Sequence, residues 1–309
     1  MKKAIVTFGV GYQYNDIKYF LESCQQYCPE ADVYVYVGKN IETLRKQCWH
    51  FQKLHLIRFR ENVIFNAIAK ILVKVPTLNR IYAEWLQAIW SKKIFPQRWT
   101  NSMVSPMLQF MVRRFFLIEE LMRDKNYQQI MLTDLRDVVL QSDPFVYVTE
   151  NTIVTGIEPV HIAESEMNSR WLANAYSTET LESLKYRHVV CAGVTVGSGK
   201  AIRQYVREMN EEIYLQLPKL LNKLGPDQAI HMYLFYQRLK GLDKYLETNG
   251  AGTIATLHYS PLTEFNLNNG KIENPVGKKL AVVHQYDRHP ELANFLRTNL
   301  IRNASHSIA

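Results

Sequence analysis

The stretch 128–145, QQIMLTDLRDVVLQSDPF, constrains this chain more than any other. An apolar run, Ile130, Met131 and Leu132, ends abruptly in two carboxylates, Asp134 and Asp137, with Arg136 between them. A second apolar run, Val138, Val139 and Leu140, follows, and Asp143-Pro144 then signals a turn. A buried strand that breaks at acidic residues carries them to the C-terminal edge of a sheet, where open α/β folds bind ligands. Two carboxylates meeting there suit a hard divalent cation, and such a cation suits a diphosphate. Taken alone, the D-x-x-D spacing also fits an Asp cap beside a surface Asp–Arg pair, so its context has to decide.

That context begins as alternating strands and helices. Ala4 to Phe8 reads as a buried strand, 31–37 (ADVYVYV) as a second and 54–59 as a third. Between them lie a helix capped near Asn15, with Ile17, Phe20, Leu21 and Cys24 on one face, and a helix over 41–48. This order predicts a mostly parallel sheet and a nucleotide-binding half-domain. Gly9 and Gly11 lack the rest of a dinucleotide fingerprint. Further on, Ser105-Pro106 opens a long helix to about Arg123 with Arg113 and Arg114 in its middle, and 146–148 and 153–157 continue the sheet to Glu158-Pro159. The segment 189–199, VVCAGVTVGSG, reads as a strand whose backbone approaches a ligand closely, and it has no Gly-Lys-Ser/Thr ending of a P-loop. Gly225-Pro226-Asp227-Gln228 opens another helix, where Asp227 is either its cap or a ligand to substrate. A last short strand over 280–283 ends at HQYDRHP, which repeats the layout of the central motif, and the tail after Arg302 reads as frayed.

With 309 residues and 47% hydrophobic content the chain can bury the core of one large domain. No apolar stretch approaches the ~20 residues needed to span a bilayer, and the N-terminal apolar run is too short for a signal peptide. Four cysteines without CxxC pairing read as reduced thiols, and together these features point to a cytoplasmic protein. The net charge of +8 is concentrated between Lys53 and Trp99, where nine Lys or Arg face two Glu and three of the five tryptophans lie. No recognisable nucleic-acid module accompanies that charge, so nucleic acid is not an expected partner. The window breaks the strand–helix rhythm with amphipathic helices over 63–75 and 80–90. It fits either buried helices of an inserted subdomain or a dimer contact, or helices lying peripherally on an anionic membrane, at its inner face.

Five stretches together resemble a family. LTDLRDVVLQSDPF is similar to the metal-site segment of GT-A-type glycosyltransferases, in which an acidic motif at a strand end binds a divalent cation and a nucleotide-sugar diphosphate. NSRWL around Asn168 and Trp171, CAGVTVG at 191–197, GPDQAIHMY around Asp227 and VVHQYDRHPEL at His284 follow in the order of the glycogenin-like enzymes. The resemblance covers the chain from about Arg113 onward and the N-terminal strands, but not 60–100. It departs from the family in spacing, since two residues rather than one separate Asp134 from Asp137.

The resemblance implies a single GT-A-like domain over 1–309, a Rossmann-type mixed α/β sheet flanked by helices, with a basic helical insertion at about 60–104. It implies a Mn²⁺- or Mg²⁺-dependent hexosyltransferase of polysaccharide biosynthesis, moving sugar from a nucleotide-diphosphate donor to a glycan or lipid-linked acceptor. Asp134, Asp137 and His284 would hold the cation, Asp137 being the surer ligand and Asp134 a candidate for the ribose as well. Arg113 and Arg288 would face the phosphates, Thr7 and Phe8 the base, and Gly193 and Gly197 the donor sugar. Asp227 and Gln228 would bond sugar hydroxyls, and Glu158 or Asp227 are the candidates for a general base. Two rivals share the fold class. A nucleotidyltransferase would normally carry a basic Gly-rich loop after the first strand, yet 9–15 holds no Lys or Arg. A non-catalytic sugar- or membrane-binding protein would not need Asp137, Asp227 and His284.

Overall fold

The computed structural model describes residues 1–306 apart from 222, 250, 275, 278 and 279. The N-terminal half is built as the alternation predicts. β1 (Lys3–Gly9), α1 (Tyr14–Tyr27), β2 (Asp32–Val37), α2 (Ile41–Gln47) and β3 (Leu54–Arg58) follow one another. α1 buries the expected face, Ile17, Phe20, Leu21 and Cys24, but its cap is Gln13 and not Asn15. The Gln13 N–H donates to Asp16 Oδ2 at 2.8 Å, closing a reciprocal box that an Asn two residues inside the helix cannot make.

Three helices, α3 (Val63–Leu72), α4 (Pro76–Ser91) and α5 (Gln97–Val104), interrupt the alternation before α6 (Phe110–Arg123) returns the chain to the sheet. α6 starts later than Ser105 because Ser105–Met107 forms a separate 3-10 turn and Leu108 is extended. Next come β4 (Gln129–Thr133), β5 (Val138–Leu140), β6 (Thr152–His161), α7 (Glu166–Ala175), α8 (Thr178–Leu184), β7 (His188–Ser198) and α9 (Gly199–Leu215). The expected continuation of the sheet over 146–148 is a turn after Pro144. α10 (Leu217–Leu220), α11 (Pro226–Tyr233), β8 (Asp243–Thr248), β9 (Ile254–Thr256), β10 (Asn266–Asn268), β11 (Lys271–Glu273), β12 (Val282–His284) and α12 (Pro290–His306) complete the chain. The helix runs on past Arg302, where a frayed tail was expected, and 307–309 lie outside the described residues.

The main sheet has seven strands in the order β3-β2-β1-β4-β7-β6-β8. The first four are parallel, β7 runs antiparallel to both β4 and β6, and β8 is parallel to β6, so the fold is α/β with a mixed sheet. β1 alternates as a doubly covered strand must. Ala4, Val6 and Phe8 join the core under α6 and α9, while Ile5 faces the core under α1. The chain steps to one side of β1 for β2 and β3 and to the other for β4, leaving a switch point at the carboxyl ends of β1 and β4. Over that end lies a second sheet, β5-β12-β9, in which His284 of β12 is opposite Val138 of β5.

The helical insertion is divided in how it packs. α4 buries Ala83, Leu86 and Ile89, Gln87 donates to the Leu215 carbonyl at 2.7 Å, and Trp90 stacks on Tyr214 at 4.8 Å with rings nearly coplanar. Trp85, one turn away, keeps 47% of its surface exposed. Trp90→Ala is expected to lower unfolding stability by about 2–3 kcal/mol, since it empties a packed aromatic site. Trp85→Ala should change it by less than about 0.5 kcal/mol. Equilibrium denaturation of the two variants measures the difference.

Candidate functional site

β4 ends at Thr133, and the next N–H, that of Asp134, donates to the Gly193 carbonyl at 2.8 Å. This bond stops the strand with its carboxylate at the switch point. Across the sheet edge, the antiparallel register of β5 and β12 sets His284 against Val138, one residue from Asp137. Asp134, Asp137 and His284 thereby converge, each offering one ligand atom within 4.8 Å of the others. His284 Nε2 stands 3.7 Å from Asp134 Oδ2 and 3.9 Å from Asp137 Oδ2. These are ion-pair separations too long for hydrogen bonds, and the buried nitrogen has no hydrogen-bond partner. Two carboxylates and one imidazole, with the buried imidazole nitrogen unsatisfied beside them, form a donor set that could hold a metal ion.

The electrostatics match that donor set. Burial and a pull from His284 and Arg114 compete at Asp134, and the partners win, leaving its pKa below the ordinary aspartate value. Burial prevails at Asp137 and raises its pKa, although His284 offsets part of the rise. Burial alone would lower the pKa of His284, but Cys191, Asp134 and Asp137 hold it well above the usual histidine value. In the absence of a cation, a proton on this imidazole takes over the task of balancing the two acids.

The arginine that organises the cluster is Arg114 and not Arg113. Its buried guanidinium donates to Asp134 Oδ1 at 2.9 Å and to Asp227 Oδ2 at 3.4 Å. Arg113 turns the other way. It pairs with Glu61 at 2.8 Å, sits over Phe59 and Phe110, and lines a separate groove of about 1160 Å³ at the carboxyl ends of β1 to β3. One residue on a helix is a rotation of about 100°, so the two neighbours necessarily serve different sites. Arg114 shares the inward stripe of Ile118 one turn later, the signal that would have singled it out.

Asp227 sits at the second position of α11, whose cap is Gly225 with φ +71°. A Cβ on Gly225 would overlap the Trp171 indole, which explains a glycine at this cap. Burial raises the Asp227 pKa against the opposing pull of Arg114. Asp227 is therefore not the cap of α11 but the partner of Arg114, and its loss would leave that buried guanidinium half-paired.

β7 does not run straight past the site. Its register with β6 shifts on either side of Ile157, and the Thr155 hydroxyl donates to the carbonyls of Cys191 and Val194, both at 2.9 Å. The resulting bulge brings Gly193 under His284, where any Cβ would overlap the imidazole. Gly193 therefore makes room for a ligand of the cluster rather than for a donor sugar. Gly197 lies at the far end of β7, opposite Ile153 and close against the Thr152 carbonyl, away from the site.

Other expected residues are also redirected. Gln228 does not offer its amide to a substrate, because the amide donates to the Val190 carbonyl at 2.6 Å and accepts from the Ala192 N–H at 3.0 Å, pinning α11 to the bulge. Thr7 is fully buried, and Phe8 is buried and stacked on Tyr36 at 4.8 Å, so neither faces the cluster. Arg288 does line the cavity, half-exposed and 3.3 Å from Asp287.

The cavity above the cluster holds about 410 Å³ and is lined by Asp134, Asp227, His284, Arg288 and Trp171 among others. Four buried polar atoms without a partner belong to its walls: Glu158 Oε2, Asn168 Oδ1, His284 Nε2 and Gln285 Oε1. Four of the fourteen such atoms among the described residues line this one cavity, where water or a polar ligand would satisfy them. Gln285, not anticipated from the sequence, also adopts φ +60°, a conformation uncommon for a residue with a side chain. Its N–H donates to the Asp137 carbonyl at 2.8 Å, which ties the strained turn to the cluster.

No family model and no curated protein matches this sequence. The site is therefore read from its own chemistry.

Burial pushes Glu158 from the ordinary value of 4.5 up to about 7, with His284 and the Cys191 thiol opposing. A carboxyl whose pKa rises on folding binds more protons folded than unfolded between those two values. Folding stability of the metal-free protein should accordingly fall as pH rises from about 4.5 to about 7. Glu158→Gln should flatten that part of the profile. Thermal melts across this range in the presence of a chelator test it.

Proposed function

We propose that this protein is a metal-dependent glycosyltransferase of GT-A type, moving a sugar from a nucleotide-diphosphate donor to a glycan or lipid-linked acceptor. The observation that carries the reading is the gathering of unpartnered polar atoms in a cavity beside Asp134, Asp137 and His284, at the carboxyl end of a mixed sheet. The motif order along the chain supports it.

Asp134, Asp137 and His284 would hold a divalent cation, which when bound supplies positive charge against a leaving diphosphate. Arg114 keeps Asp134 ionised and fixed in direction, and fixes Asp227 on the opposite wall. Arg288 at the cavity mouth adds a guanidinium for phosphate oxygens. The groove lined by Arg58, Arg60, Arg113 and Phe110 gives a basic and aromatic surface for the nucleoside end of the donor. Asp227 and Asn168 present oxygen acceptors to sugar hydroxyls. Glu158, with a pKa of about 7, can take or release a proton at Oε2 near neutral pH, the property required of a general base. The same carboxyl lies beside the Cys191 thiol.

A nucleotidyltransferase remains the rival enzyme class, and product identity separates the two. Incubation with a panel of nucleotide sugars and Mn²⁺ should release nucleoside diphosphate, whereas release of pyrophosphate from nucleoside triphosphate would favour the rival. Asp137→Ala and His284→Ala should each abolish Mn²⁺ binding in calorimetry while the fold survives. Gly193→Ala should weaken binding as well, because its methyl group displaces His284. Binding should also weaken as pH falls, since His284 must lose its proton to ligate. Unchanged Mn²⁺ affinity in Asp137→Ala or His284→Ala would defeat the shared-site reading.

A further inference from the structure

α3 is amphipathic the wrong way round for a core helix. Val63, Ile64, Ala67, Ile68 and Ile71 lie along one side, and all of them are exposed, with Val63 at 82%, Ile64 at 70% and Ile71 at 68%. The inward side carries Phe65 and Leu72, both half-buried, with Asn66 and Ala69, and Ala69 is the helix's single buried residue. The helix is held by polar contacts at its start. Asn62 Oδ1 accepts from the N–H groups of Ile64 and Phe65, and Asn66 Nδ2 donates to Glu61 at 2.8 Å. Glu61 in turn is fixed by Arg113. A helix anchored on its inner side that still presents several isoleucines to solvent carries the kind of contiguous apolar patch that marks an interaction surface.

The apolar surface continues. Val73 and Val75 in the connection are exposed, and α4 leaves Leu78, Ile81 and Trp85 exposed while Ala83, Leu86 and Ile89 are buried. Ile94, Phe95 and Trp99 extend it toward α5. Basic residues accompany this surface. Among the described residues Lys70, Lys74, Lys92 and Lys93 are exposed and make no ion pair, while Arg80 and Arg98 pair with Glu84 and Glu120.

We propose that this outward face of α3 and α4, with the segment up to Trp99, docks on an anionic lipid surface. The charge chooses this occupant over a second copy of the chain. A two-fold contact sets a patch against itself, so the four unpaired lysines of one copy would meet those of the other. Anionic headgroups complement them instead, and lysine stems reach from an apolar surface to headgroup level. Tryptophans at the margin of an apolar face suit the same boundary. No helix among the described residues is long and apolar enough to cross a membrane, so the contact is with its surface. Val63, Ala67 and Lys70 also line the groove proposed for the nucleoside, so the test uses Lys74, Lys92, Lys93, Ile71, Ile81 and Trp85, which lie outside that lining.

The test is co-sedimentation of the full chain with phosphatidylcholine vesicles, with and without phosphatidylglycerol. Pelleting is expected only with the anionic vesicles, and should weaken as salt shortens the screening length. Charge reversal at Lys74, Lys92 and Lys93 to Glu should reduce partitioning by on the order of a hundredfold. A second variant, Ile71→Ser with Ile81→Ser and Trp85→Ser, should abolish it independently. All six positions are exposed, and circular dichroism melts should match the parent. Failure to pellet with either vesicle, or pelleting undiminished in both variants, would overturn the proposal. A concentration-dependent dimer in light scattering, lost in the serine variant, would overturn it in favour of a second copy.

Discussion

The site depends on one buried cation, the Arg114 guanidinium. A charge taken out of water is costly unless fully paired, and Arg114 finds its partners in two elements far apart in sequence, Asp134 at the end of β4 and Asp227 at the start of α11. These contacts set the distance between the two walls of the cavity. They also explain why acidic residues tolerate burial beside one another at a strand end. Replacing either acid would leave charge unbalanced in the core, so the framework and the chemistry of this site are not separable.

A second constraint acts from the other side of the sheet edge. His284 needs space over β7, and the bulge at 191–194 supplies it by presenting Gly193 where any larger residue would meet the imidazole. Gln228 ties α11 to that same bulge through its backbone, which sets the position of the neighbouring Asp227. The result is a pocket held by several framework bonds, with polar atoms on its walls left without partners. That division is the physical mark of a binding site: rigid support behind and unsatisfied groups in front.

The helical insertion obeys a different logic. α4 divides its apolar residues between an inward stripe packed toward α9 and α10 and an outward stripe, and α3 turns Val63, Ile64, Ala67, Ile68 and Ile71 outward while Phe65, Ala69 and Leu72 face in. These outward residues make no contribution to the packed core, although Val63, Ala67 and Lys70 of α3 also line the groove beside Arg113.

Much of the framework was legible in the sequence because it is local. The continuous burial of β1 and β2, the inward face of α1, the carboxylates closing β4 and the histidine closing β12 each follow from short-range patterns. The donor set Asp134, Asp137 and His284 was legible for the same reason, since strand ends collect at one edge of a sheet. What lay beyond the sequence was phase and register. Periodicity shows that α6 has an arginine on its apolar side but not whether Arg113 or Arg114 points inward, and only packing against β4 and α11 selects Arg114. It shows that Gly193 and Gly197 are both needed, but not that one clears a histidine and the other a neighbouring strand. It shows an apolar face on α3, yet the direction of that face was decided by polar anchors at Glu61, Asn62 and Asn66. A sequence states which residues can share a face. Long-range contacts decide what that face meets.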